Sequence, residues 1–414
     1  MKRLFPYLLL GFMPLIGCND GPANPDDIAG DGNAAEDIVE FSESDSELAA
    51  QVQNFNIDFF RAANKVTRED ENVLVSPLSA SVYLSMLANA ATEEAAAEIA
   101  EVLGCSDRDA LNGLSYKYLT LLPVIDESTT MSFANSLWYQ RDYSLNPSFE
   151  KILGEYFDTE LFPRQLQTNN SGVVQEINGW VSDNTESLID KIIDSIPYGT
   201  VSILINAIYF KGAWANPFDA DETEEKDFYG IDGVATVDMM CHSGYQHYRS
   251  MEQFELVKME FGEGAFEALM LLPKENVSLD EILESDALYS LNKMAYTDQS
   301  IDLLFPKFKL EPKEMGLNKV LADIGVEMIM ASNQYSIFTQ EVTSTINVRQ
   351  KSVIEFTEEG AEGASVTWDL CGSSSFDSDA VSRRPIVNFN RPFMFFINET
   401  NTGAMLFAGK VVKL

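Results

Sequence analysis

Only two imidazoles occur in this chain, His242 and His247, and one of them adjoins a thiol, Cys241. A Ser–His–Asp or Cys–His device needs an imidazole within reach of its nucleophile. Neighbours along a strand point to opposite faces, so Cys241-His242 is badly arranged for proton transfer in an extended segment. Cys241, His242 and His247 carry zinc-type donor atoms, but three ligands without a CxxC or HExxH pair are a weak metal signal. Glu358-Glu359 is an adjacent acidic pair, whereas glycosidase chemistry needs two carboxylates separated across a cleft. The sequence has no phosphate-binding loop, and Gly262-Glu263-Gly264 lacks the rest of a dinucleotide fingerprint. These residues point away from an enzyme and assign neither metal nor cofactor.

The stretch from Glu355 to Phe393 carries a different kind of chemistry. Glu358, Glu359, Gly360, Ala361, Glu362, Gly363, Ala364, Ser365, Val366 and Thr367 run together, followed by Trp368-Asp369-Leu370-Cys371-Gly372 and a Ser-rich segment. No helical stripe and no Val/Ile-rich strand is present in 360–367. Yet Ala361, Gly363, Ser365 and Thr367, at alternate positions, are small enough to face a crowded interior if the segment became a strand. A loop that can also be a central strand is a spring under load. Composition alone is equally that of an ordinary surface loop.

The elements that must position this stretch are legible as texture. Length alone suggests two or three domains, but no linker or charge break interrupts the chain between residue 50 and the region near 370. With 45% hydrophobic residues the core can be large, and the expectation is one large α+β domain. Val52, Phe55, Phe59 and Phe60 predict a helix over 48–66, and Ser76-Pro77 suits a second helix start. An Ala-rich helix over 94–103 should stop at Gly104; further helices are expected after Leu145, within 172–193 and near 315–324. Ile203 to Phe210 is a nearly unbroken apolar run, as a central strand covered on both faces requires. Strand signals recur at 254–261, 265–272, 301–308, 386–397 and 404–412.

Residues 1–17 read as a targeting segment rather than fold. Lys2 and Arg3 precede an apolar run, and Leu15-Ile16-Gly17-Cys18 matches a bacterial lipobox, which predicts lipidation of Cys18. Between Asn19 and Glu47 there are ten acidic residues and no Lys or Arg, so 18–45 should be a solvated, flexible tether. An acidic stretch after a lipidated Cys resembles surface-export signals of Bacteroidetes lipoproteins. The expected location is the bacterial envelope, at the outer membrane or cell surface. The net charge of −37 disfavours nucleic acid, whose binding rests on Lys and Arg, and favours basic partners. Cys105, Cys241 and Cys371 are too few and too scattered for a disulfide framework, and Cys105 is expected to be buried.

Six motifs, in order, resemble inhibitory serpins over roughly residues 46–414. They are Asn72-Val73-Leu74-Val75-Ser76-Pro77-Leu78-Ser79; Phe133-Ala134-Asn135-Ser136-Leu137-Trp138; Leu204 to Trp214; Phe305-Pro306-Lys307-Phe308; Phe389-Asn390-Arg391-Pro392-Phe393; and Leu406 to Val411. The 358–367 segment is similar to the serpin hinge, and the reactive-centre loop would span about 358–386. The resemblance implies a single α+β domain with a large mixed central sheet, helices around it and an exposed loop. It implies a monomer acting as a suicide substrate of serine proteases, with cysteine proteases as a second target class. In that mechanism the protease forms its acyl-enzyme on the loop. The freed arm then inserts between the Asn206–Phe210 strand and the 301–308 strand, a strand addition of which serpin loop insertion is a known instance. About sixteen new strand residues at ~1 kcal/mol net each would supply roughly 10–20 kcal/mol. Gly360 would take up the hinge's dihedral changes.

By the same resemblance Ser76, Ser79 and Asn206 form the polar gate of sheet opening, with Gln350 where a His is usual, which makes the gate uncharged. Trp214 falls where insertion begins. The loop is longer than the family pattern, so two counts compete. Counting from Glu358 places the scissile bond near Ser374-Ser375 with Phe376 close by; counting back from Phe389 gives Val381-Ser382, just before Arg383-Arg384. Efficient insertion favours the first count and a chymotrypsin- or elastase-like target. The extended loop and Asp369 keep open a non-inhibitory serpin-like binding protein or a plain protease substrate.

Overall fold

Helix Glu43–Val66 starts at Ser42, whose hydroxyl accepts from Asp45 N at 3.2 Å while the Asp45 carboxylate accepts from Ser42 N at 2.6 Å. This reciprocal cap fixes where the helix begins. Val52, Phe55, Phe59 and Phe60 are buried on one face, as their spacing predicts. The computed structural model describes residues 40–166, 171–331, 333–340, 348–361 and 384–414, and no helix among them is long and apolar enough to cross a membrane.

Ser76 caps the second helix, Pro77–Ala88, through Ser79 N at 3.2 Å, with Pro77 at its first position, where a missing N–H costs nothing. All twelve residues of this helix are buried. A helix apolar on every side must lie inside the protein, and this one packs against both large sheets, through the Ser202–Ala213 and Met405–Val411 strands.

The six-stranded sheet runs Phe308–Leu310, Ile354–Phe356, Gly360–Ala361, Ser202–Ala213, Thr129–Gln140, Thr159–Arg164. Its long pair is antiparallel from Thr129↔Gly212 to Tyr139↔Ser202. Helix Ser171–Asn184 and the segment after it cover this sheet, burying Val174, Ile177, Val181, Ile189 and Ile196 against Trp138, Ile205 and Val353. The second sheet has nine strands, of which Phe266–Pro273, Phe393–Glu399 and Met405–Val411 are buried at every position. Together these layers make the α+β fold with a large mixed sheet that the sequence leads one to expect.

Four expectations need correction. The 301–308 run is not one strand: Thr297–Pro306 belongs to the nine-stranded sheet and Phe308–Leu310 to the six-stranded one. Pro306 has no N–H to continue a ladder, and the chain changes sheet there. The strand facing Ser202–Ala213 from the far side is therefore Ile354–Phe356, with Phe308–Leu310 one place further out. Likewise 386–397 divides into Ile386–Asn388 and Phe393–Glu399 around Arg391-Pro392. Cys105 is only half-buried, because the chain turns outward after Gly104, whose φ of +72° sets the end of helix Glu93–Val102. Helix Arg108–Leu121, strand Thr159–Arg164 and the Glu224–Ser250 hairpin had no clear sequence signal.

Candidate functional site

Gly360 and Ala361 are docked and buried while the Glu359 side chain stays exposed, which corrects the expected start of the loop. A tight turn closed by Thr357 N to Gly360 O at 2.8 Å reverses the chain after Phe356. Gly360 and Ala361 then pair with Ala213 and Gly212, and Ala361 also pairs with Phe356. Ala361 is 1% exposed. The first two hinge residues thus form a two-residue strand between Ile354–Phe356 and the end of Ser202–Ala213.

Gly360 is required here by close approach. A Cβ on it would lie 2.0 Å from Gly212 O and 2.8 Å from Ala213 Cα. Gly212 is equally constrained, since its Cβ would meet Phe210 and Phe261 at 2.9 Å. The reading of Gly360 as a dihedral hinge therefore omits the stronger constraint, two backbones in contact.

Trp214 organises the mouth. Its backbone N donates to Glu359 O at 2.8 Å and its indole Nε1 to Thr357 O at 3.1 Å. The ring stacks on Phe261, centroids 4.4 Å apart and planes 13° apart, with Phe356 at 6.0 Å. Phe218 N donates to Glu358 O at 2.9 Å. The Glu358 carboxylate meets Lys307 Nζ at 2.9 Å and accepts from Thr223 Oγ1 at 3.1 Å. Burial raises this carboxyl, but Lys307, its own backbone amide and Thr223 outweigh burial and hold it below the usual glutamate range.

Below the docked pair the sheet is parted. Ser202–Ala213 is laddered on one edge along nearly its whole length, whereas on the other edge the described residues ladder only at Gly212 and Ala213. Between it and the 348–354 segment runs a cavity of about 100 Å³, floored by Ser79 and Tyr83 and roofed by Leu188 and Ile189. Its lining is largely apolar, with Ser76, Ser79, Asn206 and Gln350 among the polar exceptions.

The helix start beneath the cavity holds both of its sides. Ser79 Oγ donates to Asn206 Oδ1 at 2.5 Å, and Asn206 Nδ2 donates to Asn135 Oδ1 at 2.7 Å. On the far side Gln350 clasps Ser76, its Oε1 accepting from Ser76 N at 2.9 Å and its Nε2 donating to Ser76 O at 3.0 Å. Ser76, Ser79, Asn206 and Gln350 are thus brought together as two branches on one helix cap, not as a single ring.

Glu362, Gly363, Ala364, Ser365, Val366 and Thr367, the scissile-bond candidates Ser374, Ser375, Phe376, Val381 and Ser382, and Cys18 lie outside the described residues. Lys307, Thr223, Asn135 and Phe261 belong to the site without having been singled out. Lys307 and Asn135 sat inside quoted motifs, but nothing in spacing pairs Lys307 with Glu358.

The catalytic alternatives do not assemble. Cys241 and His242 occupy consecutive strand positions opposite Leu304 and Leu303. Burial pushes the Cys241 thiol up and the His242 imidazole down. His247 turns to other partners, Asp298 at 2.6 Å and Glu260 at 3.6 Å.

Known proteins share this fold. The family model described as "Serpin (serine protease inhibitor)" matches residues 50–414. Serpin-Z10 of Arabidopsis thaliana is 29% identical over 88% of this chain and 98% of its own length. The native-state crystal structure of the thermophilic serpin tengpin superposes with a TM-score of 0.80 at 25% identity, covering 91% of this chain and 96% of that one. Thyroxine-binding globulin in complex with thyroxine superposes with a TM-score of 0.76 at 26% identity, over 89% and 98% of the two chains. With the family matched over nearly all of the folded chain and the same fold in those structures, the chain belongs to the serpin family.

Proposed function

We propose that this protein is a suicide-substrate inhibitor of serine proteases, with cysteine proteases as a second class, trapping the acyl-enzyme by inserting its cleaved loop into the six-stranded sheet. The observation that carries this reading is the position of Gly360 and Ala361. They already occupy the first rungs of a missing strand at the mouth of an apolar cavity, between two strands held apart by one helix cap. Residues from 362 onward need only continue the same ladder. Each added residue exchanges water for backbone partners and covers apolar lining, so insertion is downhill once the loop is cut. Serine- and cysteine-protease acyl-enzymes suit this trap because they are covalent long enough to be carried.

The chain organisation proposed with it is a lipoprotein signal peptide over 1–17, an acidic tether after it, and the serpin domain, whose first helix begins at Glu43 rather than at residue 46. Lipidation at Cys18 would hold the inhibitor at the bacterial envelope. A scissile bond within 374–377 follows from the count forward from Glu358, since a longer arm would leave slack on insertion, and Phe376 beside it suits a chymotrypsin- or elastase-like target.

Incubation with a protease panel tests the reading. A 1:1 band that survives boiling in SDS is expected with at least one chymotrypsin- or elastase-like enzyme, and is lost when that enzyme's nucleophile is blocked. Loop cleavage with every protease and trapping with none would leave the second reading, a non-inhibitory serpin-like binding protein or substrate. The structural likeness to thyroxine-binding globulin, solved with thyroxine bound, is the observation that keeps that alternative open.

A further inference from the structure

Lys410 is 4% exposed, yet its ammonium makes no hydrogen bond or ion pair among the described residues. Its strand, Met405–Val411, is buried throughout. Along the strand Lys410 shares a face with Val412, and both line a cavity of about 360 Å³ that has no residue in common with the parted sheet. Arg391 lines the same cavity. Its Nη2 donates to Pro273 O at 2.7 Å, but its buried Nε has no partner. Neither cation forms an ion pair among the described residues, in a chain with 65 acidic and 28 basic residues. Carboxylates are plentiful, and those that border this cavity, Glu69, Glu275 and Asp280, make no ion pair with either cation.

The Lys410 stem is enclosed while its Nζ reaches the solvent of the cavity, and a cation held this way favours a partner or a lowered proton affinity. Burial does push the Lys410 ammonium below the usual lysine range, against the opposing pull of Asp280 and Glu69. Those two and Glu275 also border the cavity, but all three are exposed to solvent. Tyr229, Ile231, Val277 and Leu279 add apolar wall. Lys274, the third cation of the lining, is engaged by Glu255 at 2.7 Å. Lys410 and Arg391 therefore favour a negative charge, the apolar residues favour an apolar body, and the three exposed carboxylates disfavour a second negative charge.

We propose that this cavity binds a small organic monoanion, a carboxylate on a compact apolar body, with Lys410 and Arg391 receiving the carboxylate. The site is independent of loop insertion, so it stands or falls separately from protease trapping.

Calorimetric titration of the protein with 2-naphthoate, its uncharged isostere 2-naphthamide and inorganic phosphate tests it. Naphthoate should bind one per chain, at least tenfold more tightly than naphthamide, and phosphate should not displace it at equal concentration. Lys410→Met, which keeps the length and removes the charge, should erase the preference for naphthoate without lowering the melting temperature. Lys410→Arg should retain it, and so keeps the test open if the Met variant fails to fold. Equal binding of the two naphthalenes, no naphthoate binding at millimolar concentration, displacement by phosphate, or an undiminished preference in Lys410→Met would each overturn the assignment.

Discussion

Lys307 and Glu358 meet at 2.9 Å across the sheet mouth, and through them the residue that follows the Thr297–Pro306 strand holds the start of the hinge. Glu358 is the more enclosed partner, with 13% of its side chain exposed against 40% for Lys307. Such a pair contributes about 1 kcal/mol. It acts where the hinge must leave or enter the sheet, so its effect falls on hinge position more than on global stability.

That pair sets a pH dependence whose sign is fixed. The carboxyl of Glu358 is depressed in the folded state, so its contribution is complete above the ordinary glutamate value and is lost as pH falls through the lower, folded one. Between pH 6 and 8 hinge docking should be constant, and below about pH 4 it should loosen. The Trp214 indole bonded to Thr357 O makes tryptophan fluorescence the natural probe. Glu358→Gln should remove the acid transition; an identical transition in that variant would assign it elsewhere.

Gly360→Ala should expel the hinge. A methyl group 2.0 Å from Gly212 O has nowhere to go, because both neighbours are backbone. Hydrogen exchange at 356–361 should rise at least tenfold, equivalent to about 1.4 kcal/mol or more of local stability. Unchanged protection would mean that the Gly212 strand yields to the methyl group.

Gln350→Ala should weaken the gate on one side only. It removes both bonds of the Ser76 clasp and leaves Ser76 N to find water, Ser76 O still accepting from Ala80 N at 3.1 Å, a cost of about 1–3 kcal/mol. A lower melting temperature and faster conversion of uncleaved protein to an inactive form are expected. Gln350→His should bring a pH dependence near 6.5 to trapping, which the uncharged native gate lacks. A flat profile in the His variant would separate this clasp from sheet opening.

Cleavage within 368–384 should convert the protein to a far more heat-resistant form, because the freed arm fills the apolar cavity between the 203–210 and 348–354 segments. Limited proteolysis followed by melting decides it. Equal melting temperatures before and after a clean cut would contradict insertion.

Cys18→Ala should release the protein from membranes into the soluble fraction, since acyl chains are its only proposed anchor. A variant that still pellets with membranes would assign the attachment to something other than lipidation.

The sequence by itself determined the family, the α+β class and most helices, because each rests on local periodicity or on motifs read in order. Ser76-Pro77 marked its helix start, and Gly104 its stop, because caps depend on a residue's own backbone preferences. Tertiary structure alone decided which strands are neighbours. Phe305-Pro306-Lys307-Phe308 looked like one strand, since hydrophobic pattern cannot say which sheet a strand joins; the partners that decide it are Met239 and Met240 for Pro306 and Phe305, and Phe356 for Phe308. Nor could composition tell that Gly360 and Ala361 are docked, because small residues are compatible with loop and strand alike. What placed them was the backbone of Gly212 and the ring of Trp214, far away in the chain. The Lys307–Glu358 pair and the unpaired Lys410 depend on the same kind of long-range packing, which leaves no spacing in a sequence to be read.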